Sequence, residues 1–225
     1  AAVVLDRLDD SLHEAERVPA LTGLPLLGAV ARFPREVRHP LVVSEAARVT
    51  VDQGKGRGGQ RGPEDGLIVG VAEAYRLLRA NLQFSAVDRR LRSLVVTSLQ
   101  PQEGKTTTAA NLAVVLAQAG LRVVLVDADL RRPAVHRVFG LPNNQGLTTL
   151  LLQEQPLDPA MLLAGPVPGL LVLPSGPLPP NPSDLLGSTR MQRRLHELEE
   201  QADLVVVDTP PVAVAADAVV LGPLV

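Results

Sequence analysis

A chain of 225 residues is longer than one typical domain, so one α/β domain with an appendage is the first expectation. Apolar residues at 46% provide for a core, while aromatics at 2% exclude an aromatic-stacking platform for nucleic acid. A net charge of -2 gives no general pull toward nucleic acid or anionic membranes, and zero Cys excludes disulfides, thiol catalysis and cysteine-ligated metals.

Residues 1–17 place Leu5, Leu8 and Leu12 at helical spacing with charges between, which predicts a short amphipathic helix. No apolar run reaches the ~20 residues of a membrane span, and no secretory signal opens the chain. Residues 18–51 are short apolar runs broken by Pro and Gly, a linker with a strand or two. Residues 52–66 hold six Gly and no large apolar side chain, so they read as a flexible tether. The domain boundary is placed there, with residues 1–66 as linker and 67–225 as the folded domain.

From Leu67 the pattern alternates between helices and short apolar strands. LIVGVAEAYRLLRANLQFSA predicts a long helix and RSLVVTS a buried strand. GKTTTAANLAVVLAQAG predicts a helix with Leu112, Val115, Leu116 and Ala119 on one face, stopped by Gly120. RVVLVDA and DLVVVDTPP are further strands; LLVLPSG is a strand or its end. Residues 132–163 hold short helices, and STRMQRRLHELEEQA is a helix with a charged outer side. Strands apolar on both faces and separated by helices indicate a parallel sheet covered on both sides, a doubly wound α/β fold. Such sheets bind ligands at the carboxyl ends of their strands.

Only two of the 22 basic residues are Lys. Lys55 lies in the Gly-rich tether, whereas Lys105 lies in Ser98-Leu99-Gln100-Pro101-Gln102-Glu103-Gly104-Lys105-Thr106-Thr107, between a buried strand and a helix start. Amides at a helix N-terminus attract an anion, and the helix dipole adds to the attraction. Gly104 lets a phosphate approach the backbone, Lys105 supplies a mobile charge to β- and γ-phosphates, and the Thr106 hydroxyl suits Mg²⁺. Gln102, Glu103, Gly104, Lys105, Thr106 and Thr107 are the candidate nucleotide contacts. Asp127 and Asp129 close one strand and Asp208 another. With Thr106 they form the candidate metal set, and a carboxylate there can also accept a proton from an incoming hydroxyl. A solvated turn explains one such Asp; three beside a GKT junction need a shared ligand.

The combination TSLQPQEGKTTTAANLAVVLAQAGLRVVLVDADLRRP, GLTTLL, LPSGPLPPNPSDLL and ADLVVVDTPPV resembles the bacterial tyrosine kinases of capsule and exopolysaccharide synthesis. These are P-loop proteins related to the chromosome-partitioning and septum-placement ATPases. The resemblance runs from Glu73 to the end of the chain. It matches residues 98–106 to the Walker A loop, Val126 to Asp129 to the second acidic motif (A′), and Val206 to Asp208 to Walker B. It implies ATP and Mg²⁺ binding by Lys105, Thr106, Asp127, Asp129 and Asp208, and phosphoryl transfer to tyrosine with Asp127 or Asp129 helping to deprotonate the phenol. It further implies a ring-like homo-oligomer held by Glu73, Arg76 and Arg79, a transmembrane chain-length adaptor on the same chain, and a place with the polysaccharide export machinery on the cytoplasmic face of the bacterial membrane. No nucleic-acid partner is expected.

The departures are Leu99 at a small-residue position and Gln102 where Gly is usual, both bearing on loop geometry. The family autophosphorylates a C-terminal tyrosine cluster, yet Tyr75 is the only tyrosine here. A further core strand is expected beyond DAVVLGPLV, so the 225 residues read as part of a longer protein. Two other functions fit less of the pattern. A partitioning-type ATPase carries a signature Lys where Gln100 stands, and a degenerate nucleotide-binding scaffold would rest on Leu99 and Gln102. Arg131 and Arg132 can touch phosphate, meet an acidic partner or form a surface pair. His13, His39, His136 and His196 have no metal spacing.

Overall fold

The computed structural model describes residues 19, 23–31, 63–85, 91–154 and 156–225. The helix expected over 1–17 and most of the tether lie outside them. Helix α1 (Pro63–Ser85) begins inside the stretch assigned to the tether. Pro-Glu-Asp is a helix-start sequence, with Pro at a position where its missing N–H costs nothing. Strand β1 (Ser93–Val96), α2 (Lys105–Gln118) and β2 (Val123–Asp127) follow as expected. Next come α3 (Val135–Phe139), α4 (Leu147–Leu152), β3 (Leu163–Ala164) and β4 (Leu170–Leu173). The described chain continues through α5 (Pro182–Leu186), α6 (Thr189–Gln201), β5 (Leu204–Asp208) and α7 (Asp217–Leu221).

The strands form one sheet in the order β1-β5-β2-β4-β3, parallel except for β3. Strand alternation sends Val123 and Leu125 to one face and Val124 and Val126 to the other. The first pair joins a core with α1 and α2; the second joins a core with α4 and α6. This is the doubly wound α/β arrangement the apolar strands implied. The antiparallel β3 is too short for its period to show in the sequence.

Helix α2 departs from the one-face expectation. Residues 109–117 are all buried while Ala119 is exposed. The sheet covers one side of α2 and α1 covers the other, and its alanines let both approach closely. Gly120 stops it with a left-handed φ of 90°, its N–H donating to the Ala117 carbonyl at 2.9 Å. The described residues before α1 also pack on the domain. The Asn81 amide donates to the Leu27 carbonyl at 2.7 Å, and Val30 joins the α1–α2 core. Residues 24–31 form no strand.

Candidate functional site

The carboxyl ends of β1, β5 and β2 meet the N-terminus of α2. The loop before α2 holds its shape through its own side chains. Ser98 Oγ donates to the Gln100 carbonyl at 2.8 Å, and the Gln100 N–H donates to Glu103 Oε2 at 3.0 Å. Gln102 (φ 67°) and Gly104 (φ 90°) both take the left-handed conformation. Gln102 therefore performs the turn a glycine would make freely, at a cost of about 1 kcal/mol. Leu99 is 63% exposed; its side chain points away from the loop interior, which explains why a large residue fits there. No side chain caps α2, and its first turn carries no acidic residue. An α-helix leaves its first amides without internal partners, so this end suits an anion.

Register brings the acidic residues together: Asp127 and Asp208 are direct partners on adjacent strands. Lys105 Nζ lies 2.8 Å from Asp129 Oδ2 and 3.7 Å from Asp208 Oδ1. Thr106 Oγ1 donates to Asp208 Oδ2 at 2.6 Å. Asp129 Oδ1 accepts the Arg132 N–H at 2.9 Å. Asp127 sits deeper and organises the turn that follows it. Its oxygens accept the N–H groups of Asp129 at 3.2 Å, Ala134 at 3.1 Å and Val135 at 3.0 Å.

Burial pushes the Asp127 carboxyl up to about 7, with the Asp208 charge adding to the effect and the Val135 amide opposing it. Burial likewise pushes Asp208 up to about 6, against the pull of Lys105 and Thr106. Asp129 and Asp208 thus share one ammonium, Asp127 lies beside Asp208 in register, and Asp208 Oδ1 is buried with no hydrogen-bond partner. A cluster with more acid than base and an oxygen left over fits a divalent cation. Among the described residues no three carboxylates or imidazoles are already gathered around one point.

The loop separates two clefts. One, of about 560 Å³, is lined by the polar residues Lys105, Thr106, Asp129, Arg131 and Arg132 and by the apolar residues Pro101, Pro210, Pro211 and Val214. The other, of about 540 Å³, is lined by Val30, Tyr75, Gln102, Glu103, Gly104, Thr107 and Thr108. The residues expected from sequence around the loop therefore divide between its two flanks. Glu73, Arg76 and Arg79 lie on α1, apart from the acidic cluster. Arg76 pairs with Glu73, and Arg79 Nε is buried without a hydrogen-bond partner among the described residues.

Two contributors were not legible from sequence. Arg131 Nε meets Asp217 Oδ2 at 3.0 Å, while Ser183 Oγ donates to Asp217 Oδ1 at 2.6 Å. This settles Arg131 against an acidic partner, tying the turn after β2 to α5 and α7. The second is the strap after β5, fastened to the loop by Val212 N–H to the Ser98 carbonyl at 2.9 Å and Ala213 N–H to the Leu99 carbonyl at 3.2 Å. The signal that could have found it is the Pro210-Pro211 pair, whose fixed φ stiffens the backbone.

Residues 94–213 match the CobQ/CobB/MinD/ParA nucleotide binding domain. Tyrosine-protein kinase YwqD of Bacillus subtilis (strain 168) is 49% identical over 151 residues, 67% of this chain and 63% of its own. Putative tyrosine-protein kinase CapB of Staphylococcus aureus is 37% identical over 155 residues, 69% of this chain and 68% of its own. The chimerical protein CapA2B2 matches with a TM-score of 0.75 at 34% identity, over 94% of this chain and 81% of that one.

Proposed function

The chain belongs to the bacterial tyrosine-protein kinases within the CobQ/CobB/MinD/ParA nucleotide-binding family, and we propose that its own reaction is transfer of the γ-phosphoryl group of ATP to a tyrosine. It spans 63% of the length of YwqD, so this activity is read from the site. The observation that carries the reading is the convergence of Lys105, Thr106, Asp129 and Asp208 from three separate elements onto one loop–helix junction.

Phosphoryl transfer is mostly positioning and charge neutralisation. In this reading the loop amides and the start of α2 cradle the phosphates and Lys105 neutralises the β- and γ-oxygens. Thr106 and Asp208 would hold Mg²⁺, with Asp127 and Asp129 completing the surrounding acidic set. Bound there, the ion would screen the phosphate oxygens against one another. Lys105 is held by Asp129 at 2.8 Å. When phosphates draw Lys105 away, Asp129 is released on the wall of the larger cleft. It then accepts the phenolic proton as the oxygen bonds to the γ-phosphorus and the bond to the leaving ADP oxygen breaks. A phenol with a pKa of about 10 needs such help at neutral pH. Asp127, whose oxygens hold three backbone amides, keeps the turn in place.

We read residues 67–225 as the kinase domain and the residues before it as the linker from a transmembrane chain-length adaptor. That places the protein on the cytoplasmic face of the membrane with the polysaccharide export machinery, as a ring-like oligomer joined through Glu73, Arg76 and Arg79. Its role is control of capsule or exopolysaccharide polymerisation and export. Among the described residues no helix is long and apolar enough to cross a membrane. The test of the reaction is Lys105→Met in the full-length protein. ATP-dependent phosphotyrosine falls by at least about 100-fold, the cost of losing a preorganised charge at the reacting phosphate; unchanged labelling overturns the assignment.

A further inference from the structure

We propose that the apolar wall of the larger cleft, Pro101, Pro210, Pro211 and Val214, is the acceptor subsite, and that it takes a tyrosine ring carried on an acidic segment. The proposal rests on the kinase reading and names the substrate class of that same site.

Phosphate binding explains only part of this cleft. Lys105, Thr106 and Asp129 supply the polar part of its lining; Pro101, Pro210, Pro211 and Val214, the last 57% exposed, supply an apolar part. Triphosphate oxygens gain nothing from that surface, whereas a flat aromatic ring covers it well. The nucleoside could claim the wall instead, but the geometry of the reaction assigns it elsewhere. In-line transfer puts the attacking and leaving oxygens on opposite sides of the phosphorus, and the loop has a cleft on each flank. The acceptor must lie on the flank where Asp129 can take its proton, which is the flank of the apolar wall. The nucleoside is left with the other.

The wall is also held rigidly to the phosphate loop. Thr97 Oγ1 donates to the Pro210 carbonyl at 2.9 Å, and the strap amides of Val212 and Ala213 pair with Ser98 and Leu99. A ring seated on the strap is therefore fixed relative to the phosphates, as efficient transfer requires. Charge selects what surrounds the ring. Arg131 is paired with Asp217, but the exposed Arg132 also lines the cleft, and its charge favours an acidic residue beside the tyrosine. The acceptor is not internal to these residues. Tyr75, the only tyrosine, is 1% exposed in the α1–α2 core.

The experiment uses the full-length kinase with ATP and two synthetic peptides carrying one tyrosine, flanked by glutamates in one and lysines in the other. Nucleotide affinity is measured separately by equilibrium binding. Val214→Asp raises the acceptor KM for the glutamate peptide at least tenfold, with nucleotide affinity within twofold of wild type. Arg132→Glu narrows or reverses the preference for the glutamate peptide. Leu152→Asp, at an exposed leucine outside the cleft, leaves the acceptor KM as it was. An unchanged acceptor KM in Val214→Asp overturns the subsite, as does weakened nucleotide binding with acceptor KM intact, which would give the wall to the nucleoside. If Val214→Asp loses both, the isosteric Val214→Thr decides: a KM rise of at least twofold with normal nucleotide affinity supports the subsite, and no rise rejects it. A wild-type protein that hydrolyses ATP and labels neither peptide overturns the kinase reading instead.

Discussion

Replacing Asp208 with Asn should stabilise the nucleotide-free protein at pH 8 while abolishing transfer. Asp208 is 0% exposed, lies beside Asp127 in register and holds a carboxyl pushed up to about 6 from 3.8. A carboxyl raised in the folded state binds its proton more tightly there than in the unfolded chain. Between about pH 4 and pH 7 the folded protein then holds more protons, so stability is greatest at the acid end and falls as pH rises through 6 and 7. A shift of about two units corresponds to about 3 kcal/mol at 1.36 kcal/mol per unit. Asp127, pushed up to about 7, adds to the same slope; because part of its rise comes from Asp208, the two costs are not summed. In Asp208→Asn the amide carbonyl can still accept the Thr106 hydroxyl, so the variant removes a buried charge and little packing. For a domain of this size 1 kcal/mol moves Tm by roughly 2–4 °C, so the variant melts roughly 6–12 °C above wild type at pH 8. The gap narrows below pH 6 and closes only below 3.8, where Asp208 is neutral in the folded and the unfolded wild type alike. Thermal unfolding followed by circular dichroism at 222 nm, without nucleotide or Mg²⁺, measures this. A variant less stable at pH 8, or a wild-type Tm that rises from pH 5 to 8, would refute the argument.

Other tests concern the loop, the packing and the assembly. Gln102→Gly relieves a left-handed side-chain-bearing residue and should gain about 0.5–1 kcal/mol; a lower Tm would show that the Gln side chain supports the loop. Gly146→Ala should cost about 2–3 kcal/mol, because an added Cβ would sit 2.1 Å from the Pro174 carbonyl oxygen. The hydrogen bonds from Leu147 N–H and Thr148 N–H to Pro174 and Ser175, each 2.8 Å, are each worth about 1 kcal/mol; urea titration reads the loss, and an unchanged midpoint counts against the contact. Replacing Glu73, Arg76 and Arg79 together should lower the mass seen by light scattering. An unaltered mass would leave them as a solvated helix face.

The fold was legible because its signals are local. Four strands are short apolar runs, and α2 starts at Gly104-Lys105, where a polar loop gives way to an apolar helical stretch. The phosphate cradle was legible for the same reason, since its residues are contiguous from Gln102 to Thr107. Asp208 could be matched to it only because a strand end announces itself by an acid after Val-Val-Val. What escaped depended on contacts between distant parts of the chain. Nothing near Asp217 indicates that Arg131, 86 positions away, will meet it. The all-round burial of α2 was missed because helical periodicity assumes one covered face, and here α1 covers the second. Gln102 read as a departure from a glycine pattern; its φ of 67° shows that the backbone conformation survives without the glycine.

Tyr75 has a practical consequence for every binding measurement on these residues. With no tryptophan and one tyrosine, their near-ultraviolet emission comes from a single ring. That ring shares a hydrogen bond with Thr108 and borders the cleft formed by Gln102, Gly104 and Thr107. Nucleotide arrival can therefore be followed as a change in the brightness of one native chromophore, with no dye attached and no engineered reporter.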